Sequence, residues 1–194
     1  LDMNYLGHCL LSVQTPSALM GSLWPDFAKR PEAEQCSTLF LQHFDRHQLI
    51  DQLTDTSPTL TPVRDYLRPT FRKTTPVVID MLLDHHIALH WQSYSSLTLE
   101  QFAHNSYQQL SEFNEMALPI RLTQTIETMR NYNWFIAYRS PQGIEKALQG
   151  VAKRIRFTNP LTEQAATAVA STQRFKRQFD QHIDELCKHL ELSL

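Results

Sequence analysis

Glycine is scarce in this chain, four in 194 residues, and that scarcity removes several chemistries at once. There is no G-x-G-x-x-G, no G-x-x-x-x-G-K-[ST] and no G-x-S-x-G, so no dinucleotide fingerprint, phosphate loop or serine-hydrolase elbow is written here. The zinc-protease pattern H-E-x-x-H is missing too. Cysteine is equally sparse. Cys9, Cys36 and Cys187 are an odd count without C-x-x-C spacing, which points to free thiols in a reducing compartment and away from disulfides or a sulfur-built zinc site. No apolar run approaches the roughly 18 to 20 residues of a membrane span, and no basic stretch followed by an apolar one lies near the first residue. These absences predict a cytoplasmic protein with no membrane partner. A net charge of −2 lacks the strongly basic surface that phosphate-backbone binding needs, so nucleic acid is not an expected partner.

What is present is helical. Apolar residues make up 42 % of the chain, enough for a sizeable core, and the length predicts one domain over residues 1–194. Leu1 and Asp2 precede Met3, which reads as the natural start, and are left out of the fold reading. Cap-type residues stand before proline at Thr15-Pro16, Thr75-Pro76, Ser140-Pro141 and Asn159-Pro160, a pairing that suits helix starts because proline presets φ where no amide hydrogen is needed. The fold class is therefore all-α, a single-domain helical bundle. Helices are expected near 4–13, 17–24, 33–54, 60–73, 76–92, 98–114, 119–133, 141–155 and 160–190, with a break or kink near Arg68 caused by Pro69.

Two of these helices carry ionisable groups where a core helix would not. In "VVIDMLLDHHIALHW", residues 77 to 91, Asp80 and Asp84 stand one turn apart on one face, and His85 lies about 100° further round. In "HFDRHQLIDQLTD", residues 43 to 55, His43, His47, Asp51 and Asp55 follow at four-residue steps, opposite the apolar Phe40, Phe44, Leu49, Ile50 and Leu53. Either stripe alone reads as a cap, an ion pair or a solvated face. Two helices that each offer carboxylate and imidazole at one-turn spacing supply the mixed N/O ligands that suit Mn²⁺, Fe²⁺ or Zn²⁺. His8, and Asp26 in the bend after Trp24, add further ligand types from other elements.

These stretches carry a resemblance. "MNYLGH", "DF" at 26 to 27, "HQLIDQLTD" and "VVIDMLLDHHIALHW" resemble the acyl carrier protein phosphodiesterase family, an atypical relative of the HD-type metal-dependent phosphohydrolases; here the pair runs Asp84-His85. The resemblance extends weakly through "NYNWFIAYRS" and "GVAKRIR" towards the C-terminus. It implies an HD-phosphohydrolase-like helical fold and hydrolysis of the phosphodiester joining 4′-phosphopantetheine to a serine of holo-acyl carrier protein. It also implies a resident Mn²⁺, with Mg²⁺ or Fe²⁺ as alternatives. Carried over residue by residue, it places Asn4, His8, Asp26, His47, Asp51, Asp55, Asp80, Asp84 and His85 on the family's motif positions, with His8, Asp26, His47, Asp84 and His85 expected as metal ligands, Asp51 and Asp80 as ligand or base, and Asp55 and Asn4 in the catalytic set.

An acidic carrier protein would need a basic surface for steering. Arg64, Arg68 and Arg72 on one segment, and Arg154 and Arg156 on another, are the candidates, and either group could equally be a solvated helix face. Two rival readings share the same residues: a phosphohydrolase acting on a nucleotide or other small phosphoester, and a non-enzymatic helical binding module.

Overall fold

The computed structural model describes residues 5–194, so Asn4 lies outside the described residues. Eleven α-helices and five short 3₁₀ segments make up the regular structure of the described residues, and they form no strand. The central element is α5 (Thr75–Leu89), buried without interruption from Val77 to Ala88. A helix whose apolar residues run round every face has to be enclosed, and the ionisable Asp80, Asp84, His85 and His86 are buried with it. Around it lie α1 (Tyr5–Leu10), α4 (Thr61–Phe71), α9 (Pro141–Ala152), α10 (Leu161–Ala170) and α11 (Lys176–His189). Helix α2 (Pro16–Leu23) packs on α1 and on α3 (Thr38–Thr56), while α6 (Leu99–Glu112), α7 (Ile120–Asn131) and the single turn α8 (Trp134–Ala137) close the far side. One apolar cluster runs from Tyr5 and Leu6 to Phe179 and Ile183 and takes side chains from all of these helices.

Local signals account for the helix starts. Thr15 is extended and precedes Pro16 at the head of α2. Ser140 accepts from the Gly143 amide before Pro141 opens α9, and Thr98 forms a reciprocal capping box with Gln101 at the head of α6. Helix α3 starts at Thr38 and not near residue 33, because the Ser37 hydroxyl accepts from the Phe40 amide and sets the cap there. Close packing of α2 on α3 depends on Gly21, where a Cβ would run into the Phe40 carbonyl.

Two expectations are corrected. The break expected near Arg68 comes instead at Arg72, where φ is 48°; Pro69 sits in the last turn of α4, where few residues follow for it to disturb. The long helix expected over 160–190 is two helices, α10 and α11, joined through a 3₁₀ turn at Gln173–Phe175. The apolar positions Ala165, Ala168, Val169, Phe175, Phe179, Ile183 and Leu186 are all buried across the break, so the periodicity that suggested one helix runs on through the turn. Cys9, Cys36 and Cys187 are free thiols. No helix among the described residues is long and apolar enough to cross a membrane.

Helix α1 is six residues long, too short to persist by itself. Its first amides are satisfied by α5: Asp84 Oδ2 accepts from the Leu6 amide at 2.9 Å and Oδ1 from the Gly7 amide at 2.8 Å. The approach is close enough that a Cβ on Gly7 would lie 3.2 Å from Asp84 Oδ1. Burial pushes the Asp84 pKa up to about 8, although the Gly7 and Leu6 amides favour its anion. Asp84→Asn keeps the shape but turns an NH₂ towards one of those amides and leaves a buried donor unpaired, at about 1–3 kcal/mol. The metal-free variant is expected to melt roughly 2–10 °C lower for a chain of this size. An unchanged or raised melting temperature would remove Asp84 from this capping role.

Candidate metal centre

Two helices bring a tight group of ligand atoms together. His47 and Asp51, one turn apart on α3, face His8 on α1, and these three side chains offer ligand atoms that all lie within 4.8 Å of one another. The His8 and His47 rings stack almost parallel, centroids 3.8 Å apart and planes 8° from coplanar. Asp51 bridges them, with Oδ1 3.1 Å from His8 Nε2 and Oδ2 3.0 Å from His47 Nε2. Asp26, the last residue of the 3₁₀ segment Trp24–Asp26, adds a second carboxylate 3.9 Å from His47 Nε2.

The protonation states follow from the partners. His47 Nδ1 lies 2.6 Å from the Ser22 carbonyl near the end of α2, and a carbonyl only accepts, so Nδ1 carries hydrogen. In the neutral ring Nε2 is then a lone pair aimed at two carboxylates, an arrangement that calls for a positive charge between them. Burial lowers the His47 pKa, but Asp51, Asp26 and the Ser22 carbonyl outweigh it, so the pKa rises above its ordinary value. His8 goes the other way: burial, and the charge on His47 stacked against it, hold its pKa down to about 4 despite Asp51. Asp51 is kept ionised, because hydrogen bonds from His47 and His8 outweigh the burial that would raise its pKa.

The donor set therefore fits a divalent cation. Both Nε2 atoms point at a carboxylate that stays charged, His8 is neutral as a ligand must be, and the Ser22 carbonyl fixes the His47 tautomer in the way that carbonyls orient ligating imidazoles. His8 Nδ1 is buried without a hydrogen-bond partner among the described residues, so its placement is not explained by its own polar satisfaction.

The remaining expected residues are distributed as follows. Asp84 is committed to the Leu6 and Gly7 amides and is not in the ligand group. His85 gives its Nδ1 to the Tyr138 carbonyl at 2.6 Å, leaving Nε2 as the bare nitrogen, and is likewise outside the group. Asp80 is buried one turn before Asp84, and Asp55 is exposed one turn beyond Asp51. His43 turns to Ser12, and His86 to Asp180 and Tyr94. Arg64 is turned back onto the Thr54 and Ser57 carbonyls at the end of α3, whereas Arg68, Arg72, Arg154 and Arg156 are exposed.

Sequence reasoning missed Ser22, whose contribution is a backbone carbonyl with no residue signature. It also missed Tyr5, which stacks on Phe27 beside Asp26. Burial, and then the Asp26 charge, raise the Tyr5 pKa and keep its hydroxyl neutral. The presence of Tyr5 inside "MNYLGH" was the available signal.

A family model described as acyl carrier protein phosphodiesterase matches residues 3–186. Three relatives named acyl carrier protein phosphodiesterase are each 28 % identical over 153 residues, 78 % of this chain. They come from Enterobacter sp. strain 638 (79 % of its length covered), Photorhabdus laumondii (77 %) and Escherichia coli K12 (79 %). No solved structure matches the chain, so the likeness to HD-type phosphohydrolases rests on the sequence resemblance alone.

A cation that binds the native site and not the unfolded chain stabilises by mass action, by about 2.7 kcal/mol at a hundred times its Kd. Saturating Mn²⁺ is therefore expected to raise the melting temperature by roughly 5–10 °C, and His47→Gln to abolish most of that rise. An equal Mn²⁺ shift in the folded variant would place the ion elsewhere.

Proposed function

The chain belongs to the acyl carrier protein phosphodiesterase family, and from that premise we propose that it hydrolyses the phosphodiester linking 4′-phosphopantetheine to a serine of holo-acyl carrier protein, using a divalent cation held by His8, His47 and Asp51. The observation that carries the reading is the convergence of two stacked imidazole Nε2 atoms on the two oxygens of one carboxylate. Mn²⁺ is the proposed metal, with Mg²⁺ or Fe²⁺ as alternatives, because imidazole and carboxylate without thiolate suit such ions. The proposed compartment is the cytoplasm, where the free thiols of Cys9, Cys36 and Cys187 stay reduced.

In the proposed reaction, water adds to phosphorus, the bond from phosphorus to the serine oxygen breaks, and apo-carrier and 4′-phosphopantetheine are released. A cation bound in the ligand group supplies charge neutralisation at the phosphoryl oxygens. His8 and His47 are locked in place by their stack and by Ser22, and Asp51 holds both from the open side. Asp26, which reaches His47 at the edge of the group, is the carboxylate placed to accept the proton that the attacking water gives up. The proton taken up by Asp26 is then delivered to the departing serine oxygen; His85, whose Nδ1 is fixed by the Tyr138 carbonyl, stands outside the ligand group. Asp84 serves the site through α1, by holding the turn that carries His8. The exposed Arg68, Arg72, Arg154 and Arg156 give the acidic carrier its steering charges.

Holo-carrier incubated with the protein and Mn²⁺ is expected to lose the mass of its phosphopantetheinyl group, with EDTA stopping the loss. Asp51→Asn, which keeps the bridge's shape but not its charge, should cut the rate roughly a hundredfold or more. Holo-carrier of unchanged mass after incubation with fully folded, Mn²⁺-loaded protein would refute the activity.

A further inference from the structure

We propose that the cavity between α8 and α9, about 370 Å³ in volume, is the subsite that receives the pantetheine arm of the substrate, with Arg154 at its phosphate end and Trp134 and Tyr132 against the apolar and amide segments. The proposal rests on the phosphodiesterase reading and gives it a location.

Three observations support it. The first is the chemistry of the walls. Tyr132, Trp134 and Tyr138 form an aromatic side, Lys146 and Arg154 bring two cations, and Ser140 and Gln142 bring neutral hydrogen-bonding groups. That mixture matches an arm with a branched methyl-bearing segment and two amides whose monoanionic phosphodiester end lies outside the cavity towards the metal centre, and it matches a nucleobase or a lipid tail less well.

The second is the room left by small residues. Gly143, Ala147 and Gly150 follow along one face of α9 and line the cavity; Gly143 is required by the close approach of the Ala137 carbonyl, whereas Gly150 is not. A Cβ at Gly150 meets no atom within 4 Å. Glycine inside a helix is unfavourable relative to alanine, and neither close packing nor a special backbone angle explains this one. Its open side faces the cavity.

The third is the connection to the metal centre. Trp134, on the cavity wall, stacks on Tyr5 with centroids 6.2 Å apart and planes 16° from coplanar, and Tyr5 stacks on Phe27 at 6.3 Å and 20°. Phe27 follows Asp26, whose carboxylate reaches His47. The cavity and the ligand group are thus separated by a single stacked aromatic row. The wall is also tied to α5, because the Tyr138 carbonyl holds His85. A phosphodiester lying at His8, His47 and Asp51 would direct its pantetheine side along this row and into the cavity.

Gly150→Phe tests the proposal, since the new ring has space to grow into the cavity and the change favours the helix. Calorimetric titration of metal-free protein with 4′-phosphopantetheine is expected to show binding to the wild type and at least tenfold weaker binding to the variant, at an unchanged melting temperature. The variant should also show at least a tenfold higher KM for holo-carrier, while hydrolysis of the small diester bis(p-nitrophenyl) phosphate proceeds at the wild-type rate. Lys146→Ala, which opens the site instead of filling it, should weaken the same titration. Wild-type affinity for 4′-phosphopantetheine in a folded Gly150→Phe variant, or no binding to the wild type, would overturn the assignment. If the wild type binds 4′-phosphopantetheine but leaves holo-carrier intact, the phosphodiesterase reading falls and the titration still decides the cavity.

Discussion

A buried carboxylate at the centre of the bundle supports everything the site does. Asp84, inside α5, takes the first amides of α1, and a helix of six residues has little else to define its angle or its depth. That helix carries His8. Its ring must stack 3.8 Å above His47 for Asp51 to bridge the two, and a tilt of one turn would separate them. The usual reason to place an aspartate in an apolar helix is to hold something. Here it holds a helix terminus, whose orphan amides donate to its two oxygens while burial raises its pKa.

The electrostatics of the ligand group form one connected problem. Asp51 is ionised because two imidazoles face it, His47 gains proton affinity because two carboxylates face it, and His8 loses it because a charged ring would lie against it. Only one of two stacked imidazoles can carry a positive charge comfortably. A divalent cation satisfies both Nε2 atoms and the carboxylate together, whereas a single proton on His47 satisfies one. Buried polar groups are costly unless matched, and the three side chains together form a donor set that could hold a metal ion.

Much of the framework was legible in the sequence. Thr15-Pro16 and Ser140-Pro141 mark helix starts because a cap followed by proline is a local signal. The one-turn spacing of His47 and Asp51 brought those two together, since a single helix keeps such residues on one face. The break between α10 and α11 was hidden because its apolar positions run in register through the turn. Asp84 and His85 showed the other limit. Their residue types announce ligands, yet their partners are backbone groups, the Leu6 and Gly7 amides and the Tyr138 carbonyl, and backbone has no signature in the residue string. For the same reason the carbonyl of Ser22, which sets the His47 tautomer, could only be seen in the folded chain.

The central claim is that the two stacked imidazoles and the carboxylate between them are what hold the cation. Pulsed electron paramagnetic resonance on Mn²⁺-loaded protein carrying ¹⁵N-labelled histidine reads imidazole coordination directly. Two directly bound histidine nitrogens are predicted, falling to one in His8→Gln and one in His47→Gln while His85→Gln leaves both. A spectrum with no bound histidine nitrogen in protein that hydrolyses holo-carrier, or one that changes only with His85→Gln, would contradict the account.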